Sequence, residues 1–207
     1  MTIKKNITLL IAFLPFNFLR VLLYKLLPNY RIEWTAKIGF GTIINVSELM
    51  LADAVIGKFC HFHGKLTLKI AKGSKIGRQN IIYSSGKGGG ICELGCNSHI
   101  TNGHLIDATG NFVLGAYSRI AGKDSQFWTH GGQRDRSDIV IGEKCYIGSA
   151  VCIAQGVTIA DNTYIGLGSV VVYNSEEPGV LLAGNPAKVV KRGIIARKSL
   201  QIPMTNK

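Results

Sequence analysis

His130 is the side chain in this sequence that is best suited to general acid–base chemistry. It lies in a polar stretch, residues 121–138, that also contains Phe127, Trp128 and several charged residues. The ordinary pKa of histidine lies near neutrality, so a histidine on a loop can remove a proton from a bound hydroxyl group. Loops on rigid scaffolds commonly carry function. We therefore expect this stretch to protrude as a loop and His130 to act as a base.

Three other histidines allow a different interpretation. His63, His99 and His104 lie 36 and 5 residues apart. This spacing is similar to that of γ-class carbonic anhydrases, in which three histidines from adjacent subunits bind zinc. The residues around the three histidines do not otherwise resemble that family. The main prediction therefore contains no metal site, and the zinc enzyme stays as an alternative.

The polar stretch interrupts a repeat of six residues. Its most regular part consists of Ile141, Ile147, Ile153, Ile159, Ile165 and Val171. Neither the 3.6-residue period of a helix nor the alternation of a half-buried strand gives this spacing. A chain that forms a short strand, turns a corner and repeats does give it. The repeat thus predicts a parallel β-helix whose coils bury their aliphatic side chains against one another.

The amino-acid composition of the chain limits the kinds of partner that it is expected to bind. The chain has 207 residues, which is typical of one domain, and 24 basic against 12 acidic residues give a formal charge of +12. This charge favours anionic partners. No nucleic-acid-binding motif accompanies it, so we predict no nucleic-acid partner. A phosphorylated cofactor or an anionic membrane surface explains the charge equally well.

Residues 1–29 differ from the repeats and predict an amphipathic helical segment. Their uncharged run is shorter than the roughly 20 residues that a membrane span requires. On a helix that starts at Phe16, the polar residues Asn17, Arg20 and Tyr24 share one stripe, and aliphatic residues cover the rest. Such a segment lies in a membrane interface, here through residues 7–27, or caps the open end of a solenoid.

Two motifs and the loop together resemble a known family. The hexads, the loop that carries His130 and the sequence AGNPAKVV at residues 183–190 are similar to the hexapeptide-repeat acyltransferases. Within this family, the capsule and exopolysaccharide O-acetyltransferases and the maltose and galactoside O-acetyltransferases are the most similar. The resemblance covers about residues 32–192.

The resemblance implies an all-β fold, a left-handed parallel β-helix with an N-terminal amphipathic helix and a protruding loop. The left hand comes from the resemblance, because the general rule for parallel crossovers favours right-handed connections. The expected division is an interfacial segment at 1–29, a β-helix acyltransferase domain at 30–192 and a basic tail at 193–207. A homotrimer that holds acetyl-CoA between subunits, without a metal, is also implied. The basic charge and the interfacial N-terminal segment, rather than the resemblance, suggest a cytoplasmic location at the inner face of the cell membrane.

The resemblance further assigns roles to single residues. His130 matches the catalytic base, and Asn102 and Asp107 match acceptor-binding positions. Independently of the resemblance, Trp128 is expected either to offer an apolar face to an acceptor sugar ring or to pack beneath the loop. The expected acetyl-CoA contacts are Ser149 through its backbone N–H, Leu167, and the two basic residues Lys188 and Lys191 near the phosphates. The group that orients His130 stays open at this point, between Asp124 and a backbone carbonyl.

The function implied is transfer of an acetyl group from acetyl-CoA to a sugar hydroxyl of a surface polysaccharide or its precursor. A histidine base also suits an amino-sugar nitrogen, so N-acetylation is an alternative. A membrane-associated scaffold with a degenerate site is a further, non-enzymatic one.

Overall fold

The computed structural model describes residues 2–86, 89–131 and 137–194, in which two helices, α1 (Thr2–Ala12) and α2 (Asn17–Lys25), precede a series of short strands. In chain order, the strands are β1 (Tyr30–Ile32), β2 (Lys37–Ile38), β3 (Ile43–Leu51), β4 (Val55–Ile56), β5 (His61–Ile70), β6 (Lys75–Ile76), β7 (Ile81–Ser84), β8 (Gly90–Leu94), β9 (His99–Ile100), β10 (Leu105–Asp107), β11 (Phe112–Leu114), β12 (Arg119–Ile120), β13 (Gln126–Trp128), β14 (Ile139–Ile141), β15 (Tyr146–Ile147), β16 (Cys152–Ile153), β17 (Thr158–Ile159), β18 (Tyr164–Ile165), β19 (Val170–Val171), β20 (Leu181–Gly184) and β21 (Ala187–Lys191).

These strands form a left-handed parallel β-helix with three faces, as the resemblance implies. Face 1 contains β2, β4, β6, β9, β12, β15, β18 and β20. Face 2 contains the first halves of β3 and β5, followed by β7, β10, β13, β16 and β19. Face 3 contains β1 and the second halves of β3 and β5, followed by β8, β11, β14 and β17. The pairing is parallel except between β20 and β21, which form an antiparallel hairpin at the end.

The six-residue ladder supplies the interior of the last coils. Each of its aliphatic side chains occupies the inward position of a two- or three-residue strand and is at most 2 % exposed. The prediction of a hexapeptide-repeat solenoid is therefore confirmed. Burial of these side chains against the coils above and below provides the main stabilisation of such a fold.

The predicted loop is shorter than the sequence suggested. Residues 126–128 form strand β13, which pairs with β10 and β16, and Phe127 is fully buried in the core. Phe127 follows Ile120 by seven residues instead of six, which hides this strand from a search for hexads. The excursion from the coil is confined to residues 129–138, which we call the histidine loop; within it, residues 132–136 lie outside the described part of the chain.

Helices α1 and α2 cover the first open end of the β-helix, and the polar stripe of α2 faces inward. Asn17 donates from Nδ2 to the carbonyl of Ala36 (3.3 Å) and accepts from the N–H of Ile38 (2.9 Å), whose carbonyl in turn accepts from Nε of Arg20 (2.8 Å). The first coil has no preceding coil to satisfy its backbone groups, so these polar side chains take that place.

Tyr24 is fully buried in this cap, and loss of its hydroxyl group should destabilise the fold. Its hydroxyl accepts from the N–H of Ile44 (3.2 Å) and lies 3.0 Å from the carbonyl of Thr42. Tyr24→Phe should lower the free energy of unfolding by about 1–3 kcal/mol, because buried backbone groups lose their partner. Urea denaturation at fixed protein concentration measures the change. Tyr173→Phe, at a 69 % exposed position, should change little, and equal effects of the two variants would contradict the cap.

The opposite sides of α1 and α2 are apolar and exposed. Each helix presents a stripe at helical spacing, formed by Ile3, Ile7 and Leu10 on α1 and by Phe18, Leu22 and Leu26 on or directly after α2. No helix in the described residues is long and apolar enough to cross a membrane. The greater part of the predicted basic tail, residues 195–207, lies outside the described residues.

Candidate active site

The histidine loop is fixed at both ends on the corner of the preceding coil. At its start, Oγ1 of the buried Thr129 accepts from the N–H of Gly110 (2.8 Å). At its end, Oδ1 of Asp138 accepts from the N–H of Asn111 (3.0 Å) and Oδ2 accepts from Nδ2 of Asn111 (3.2 Å). Two anchors on neighbouring residues hold the base of the loop close to the β-helix.

His130 is held by Asp107. Nδ1 of His130 is hydrogen-bonded to Oδ2 of Asp107, whose other oxygen accepts from the N–H of Thr109 (2.9 Å). The Asp107 side chain is fully buried, whereas the His130 side chain is 48 % exposed, and Nε2 forms no hydrogen bond with another described residue. A carboxylate at Nδ1 favours the tautomer with the proton on Nδ1, which leaves the lone pair of Nε2 free to accept a proton.

The orienting group left open by the sequence is thus Asp107 rather than Asp124. The Asp124 carboxylate is exposed at another corner, where it forms an ion pair with Lys123 (3.5 Å). Within one chain, the Asp107 side chain has no exposed surface and contacts the base, and its predicted contact with the acceptor stays a prediction.

Trp128 lies beside this pair. It is the residue of β13 that pairs with Asp107 of β10, so the two side chains leave neighbouring strands on the same face. Its indole Nε1 donates to Oε1 of Gln126 (3.2 Å), and its ring is partly exposed. The structure therefore places Trp128 next to Asp107, the partner of His130.

Asn102, Ser149 and Leu167 occupy a different corner, between faces 1 and 2. The pairing of face 1 places Asn102, Gly122, Ser149 and Leu167 at equivalent positions of successive coils. The Asn102 N–H donates to the carbonyl of Gly122 (3.4 Å), and its Oδ1 accepts from the N–H of Arg78 (2.9 Å). We call this line of residues the corner strip.

The corner strip combines a backbone amide that has no partner among the described residues with an exposed apolar side chain. Within the described residues, the N–H of Ser149 has no acceptor, while its carbonyl accepts from Gly168 (2.9 Å). Gly122 has a positive φ of 69°, and a Cβ there would collide with the Ser149 side chain, so glycine preserves this corner. Leu167 is 82 % exposed.

Lys188 and Lys191 lie beyond Leu167, on strand β21. This strand pairs with β20, which is the next strand after β18 on face 1, and both lysines are exposed. The corner strip thus runs from a free backbone donor through an apolar side chain to two cations. These groups fit acetyl-CoA, which needs a donor at its thioester carbonyl, apolar contact along its arm and positive charge at its phosphates.

One chain does not bring the base and the corner strip together. His130 follows β13 at the corner between faces 2 and 3, whereas Ser149 precedes β16 at the corner between faces 1 and 2. The whole width of face 2 separates them. The residues predicted for one site therefore fall into two groups on opposite edges of this face.

His104 is not suited to be a zinc ligand, which the γ-class carbonic anhydrase alternative requires. Its Nδ1 accepts from the N–H of Ser125 (3.1 Å), and its Nε2 is paired with Oγ1 of Thr101 (2.9 Å). Burial lowers the pKa of His104 to about 4, so the ring is neutral and internally satisfied. Both ring nitrogens are occupied by hydrogen bonds, and neither is available to a metal ion.

Sequence reasoning missed two features of the site. The first is the anchoring of the histidine loop by Thr129, Asn111 and Asp138. Side chains of these types are common in turns, and only the alignment of neighbouring coils shows which groups they form hydrogen bonds with. The second is Tyr83, which pairs with Asp107 on the neighbouring strand. Burial, and then the charge of Asp107, raise the pKa of Tyr83.

Comparison with a named relative identifies the family of this chain. WcaF of Escherichia coli K12, which carries the name colanic acid biosynthesis acetyltransferase, is 32 % identical over 130 residues that cover 59 % of this chain and 71 % of WcaF. The chain is a hexapeptide-repeat acetyltransferase. The galactoside O-acetyltransferase of E. coli K12 is also similar, at 47 % identity over 53 residues, or 26 % of each chain.

The similarity extends to solved structures at the level of the fold. A hexapeptide-repeat-containing acetyltransferase from Vibrio cholerae, VCA0836, solved in complex with acetyl coenzyme A, superposes with a TM-score of 0.50 and 19 % identity. The match covers 92 % of this chain and 85 % of that one. No protein-family profile matches the chain. The family and the fold predicted from the hexads, the loop and AGNPAKVV are confirmed.

Proposed function

We propose that the protein transfers an acetyl group from acetyl-CoA to a sugar hydroxyl of a surface polysaccharide or its precursor. The contact between the buried Asp107 and the exposed His130 carries this proposal, because it leaves a base with a free Nε2 at the surface. The name of WcaF supports a polysaccharide acceptor, since that relative is assigned to the synthesis of colanic acid.

In the proposed mechanism, His130 removes the proton of the acceptor hydroxyl as its oxygen attacks the thioester carbonyl. Asp107 stabilises the positive charge that develops on the imidazole ring. The N–H of Ser149 donates to the carbonyl oxygen as negative charge accumulates there, a contribution of about 2.7–4 kcal/mol for one donor in other acyl transfers. His130 then returns the proton to the departing thiolate, which leaves as the free thiol of CoA.

A homotrimer would complete this site between subunits. The separation of His130 and Ser149 across face 2 supports it, because the His130 corner of one subunit can then face the corner strip of another. In this arrangement, Asn102 on the strip and Trp128 near the base would contact the acceptor from two sides. A mass of three chains in sedimentation equilibrium is expected, and a monomer with full activity would rule the shared site out.

The three predicted segments correspond to separate roles in this proposal. Residues 30–192 would form the catalytic β-helix, and residues 193–207 would form a basic extension. Residues 1–29 would cap the β-helix with one side and face the membrane with the other. This last role would place the enzyme at the cytoplasmic face of the cell membrane, close to lipid-linked glycan precursors.

The exposed stripes of α1 and α2 support contact with an anionic membrane. Leu10 and Leu26 are 73 % and 71 % exposed, and Phe18 is 62 % exposed, so the cap leaves its apolar side chains to the outside. Apolar helix faces of this kind insert into the headgroup region of a bilayer. The formal charge of +12 adds attraction to anionic lipids, which is worth about 1 kcal/mol per basic residue near the surface.

Vesicle flotation tests the membrane proposal. The full chain should float with phosphatidylglycerol vesicles and much less with neutral phosphatidylcholine vesicles. The double variant Phe18→Asp, Leu26→Asp should stay at the bottom, since a carboxylate in the apolar stripe opposes insertion. Tyr173→Asp, on an exposed aromatic at the other end of the molecule, should float like the wild type. Flotation of the double variant, or self-association through these stripes without lipid binding, would contradict the proposal.

A thiol-release assay tests the function itself. The protein should release CoA from acetyl-CoA when sugars or oligosaccharides are added, at a rate that depends on the acceptor. Mass analysis of the product distinguishes an acetyl ester on oxygen from an amide on nitrogen, which is the N-acetyltransferase alternative. Absence of both CoA binding and acceptor-dependent release would favour a non-enzymatic scaffold.

A further inference from the structure

A line of outward-facing side chains leads away from the catalytic pair along face 2. Strand pairing places Asn45, His63, Tyr83, Asp107 and Trp128 at equivalent positions of successive coils. Each lies next to a residue that points into the core, so all five point outward. We call this line the aromatic column.

The aromatic column extends well beyond the reach of a single sugar hydroxyl. Adjacent strands lie roughly 4.8 Å apart, so Asn45 is about 14 Å from Asp107 along the axis of the β-helix. The column follows the edge of face 2 that carries His130, and it ends beside the first helix. Its residues take no part in the reaction proposed above, apart from Asp107 and Trp128 at one end.

Two side chains of the column, His63 and Tyr83, stack on each other. The rings of His63 and Tyr83 are 5.7 Å apart with an angle of 20°, and the ring of His61, on the neighbouring line, lies 4.4 Å from that of His63. His63 and Tyr83 are partly exposed. Side chains with an apolar ring and a polar tip suit a pyranose, which has an apolar C–H face and a rim of hydroxyl groups.

The protonation states of the histidines along the column favour hydrogen bonds to a ligand rather than ionic contacts. Burial, the neighbouring His61 and the positive charge of Lys5 lower the pKa of His63, and burial and Lys5 lower that of His61. Both rings are therefore neutral at pH 7, and they offer hydrogen bonds rather than charge. The carboxylate of Asp107 is already engaged by His130.

We infer that the aromatic column is a glycan-binding subsite that holds sugar units adjacent to the one being acetylated. This inference rests on the proposed function and narrows its substrate class to an extended glycan, rather than a mono- or disaccharide. The exposed parts of the His63 and Tyr83 rings would pack against successive sugar rings, and Asn45 would hydrogen-bond to the outermost one. The column thereby aligns the chain so that one hydroxyl reaches Nε2 of His130.

The test compares acceptors of increasing length. Colanic acid, de-O-acetylated with mild base and cut into fragments of one, two and four repeat units, serves as the probe. For the wild type, KM should fall by about tenfold from the shortest to the longest fragment, because additional rings stack on the column. Tyr83→Ala and His63→Ala should each abolish most of this fall, and His63→Ala should leave kcat for the shortest fragment unchanged. Tyr117→Ala, at a corner on the other side of the β-helix, is the matched control and should behave like the wild type.

The outcomes separate this inference from the function on which it rests. Equal KM for all lengths, or a length dependence that survives both column variants, would overturn the subsite even if acetyl transfer is efficient. If no fragment is acetylated, calorimetric titration of His130→Ala with the longest fragment decides. Binding that Tyr83→Ala removes would support the subsite and count against the transferase, and absence of binding would overturn both.

Discussion

Replacement of His130 by alanine should reduce acetyl transfer to a sugar acceptor by about 10²–10⁴-fold, the usual contribution of a positioned general base. The variant loses the only described group whose free nitrogen lies at the surface beside a buried carboxylate. Because the side chain is half exposed on a loop anchored by other residues, folding and assembly should be unchanged. Steady-state thiol release, together with sedimentation of the same sample, measures both. Near-wild-type turnover would remove His130 from the mechanism.

Measurement of acetyl-CoA binding by the same variant distinguishes a catalytic role of His130 from a role in binding. His130→Ala should bind acetyl-CoA with unchanged affinity, because the corner strip that is proposed to hold it lies at another corner of the chain. The loss should appear in kcat, with little change in KM for acetyl-CoA. A large rise in that KM with unchanged kcat would instead assign His130 to substrate binding.

Asp107→Asn should produce the second large effect, a fall in kcat approaching that of His130→Ala. In Ser-His-Asp enzymes the corresponding change costs about 10⁴-fold, because an amide allows the wrong histidine tautomer. Here the side-chain amide introduced by the substitution could donate to Nδ1 of His130 and so place the proton on Nε2, which then cannot act as a base. Pre-steady-state acetyl transfer at saturating acceptor measures the loss.

Asp124→Asn is the matched control for this experiment. Asp124 was the other candidate for orienting His130, and it is exposed and paired only with Lys123 in the described contacts. Its substitution should change kcat less than twofold, as is usual for a surface position. A larger loss for Asp124→Asn than for Asp107→Asn would show that the histidine loop adopts another conformation during turnover.

The sequence predicted the β-helix well because its period is local. A six-residue repeat is visible in any short window, and its aliphatic residues are buried whatever the neighbouring coils contain. The histidine loop was predicted less well. Phe127 lies off the hexad register, so a buried strand was counted as part of the loop, although the position of His130 outside the coil was predicted correctly.

The partner of His130 could not be predicted from spacing. Asp107 and His130 meet because the coil between Asp107 and Trp128 is 21 residues long, instead of the 18 that an ideal repeat gives. Asp124 is closer in sequence but lies at another corner. Contacts between coils depend on the length of each irregular coil, and a single sequence does not reveal where the additional residues are accommodated.

The orientation of the N-terminal helices could not be predicted from the sequence, for a different reason. Amphipathic patterns are usually interpreted with the polar side toward water. In this protein the surface beneath α2 consists of unpaired backbone groups of the first coil, so Asn17, Arg20 and Tyr24 point inward. The apolar side is consequently left outside, which is the basis for the proposed membrane contact.

Transfer of an isotope-labelled acetyl group tests the central claim most directly. The full chain is incubated with acetyl-CoA labelled in the acetyl carbons and with the oligosaccharide that gives the fastest thiol release, and the glycan is examined by NMR. We predict a labelled ester on a sugar hydroxyl, formed in step with free CoA thiol, removed by mild base and absent with His130→Ala. Thiol release without labelled glycan, a base-stable amide, or the same ester formed by His130→Ala would contradict the account.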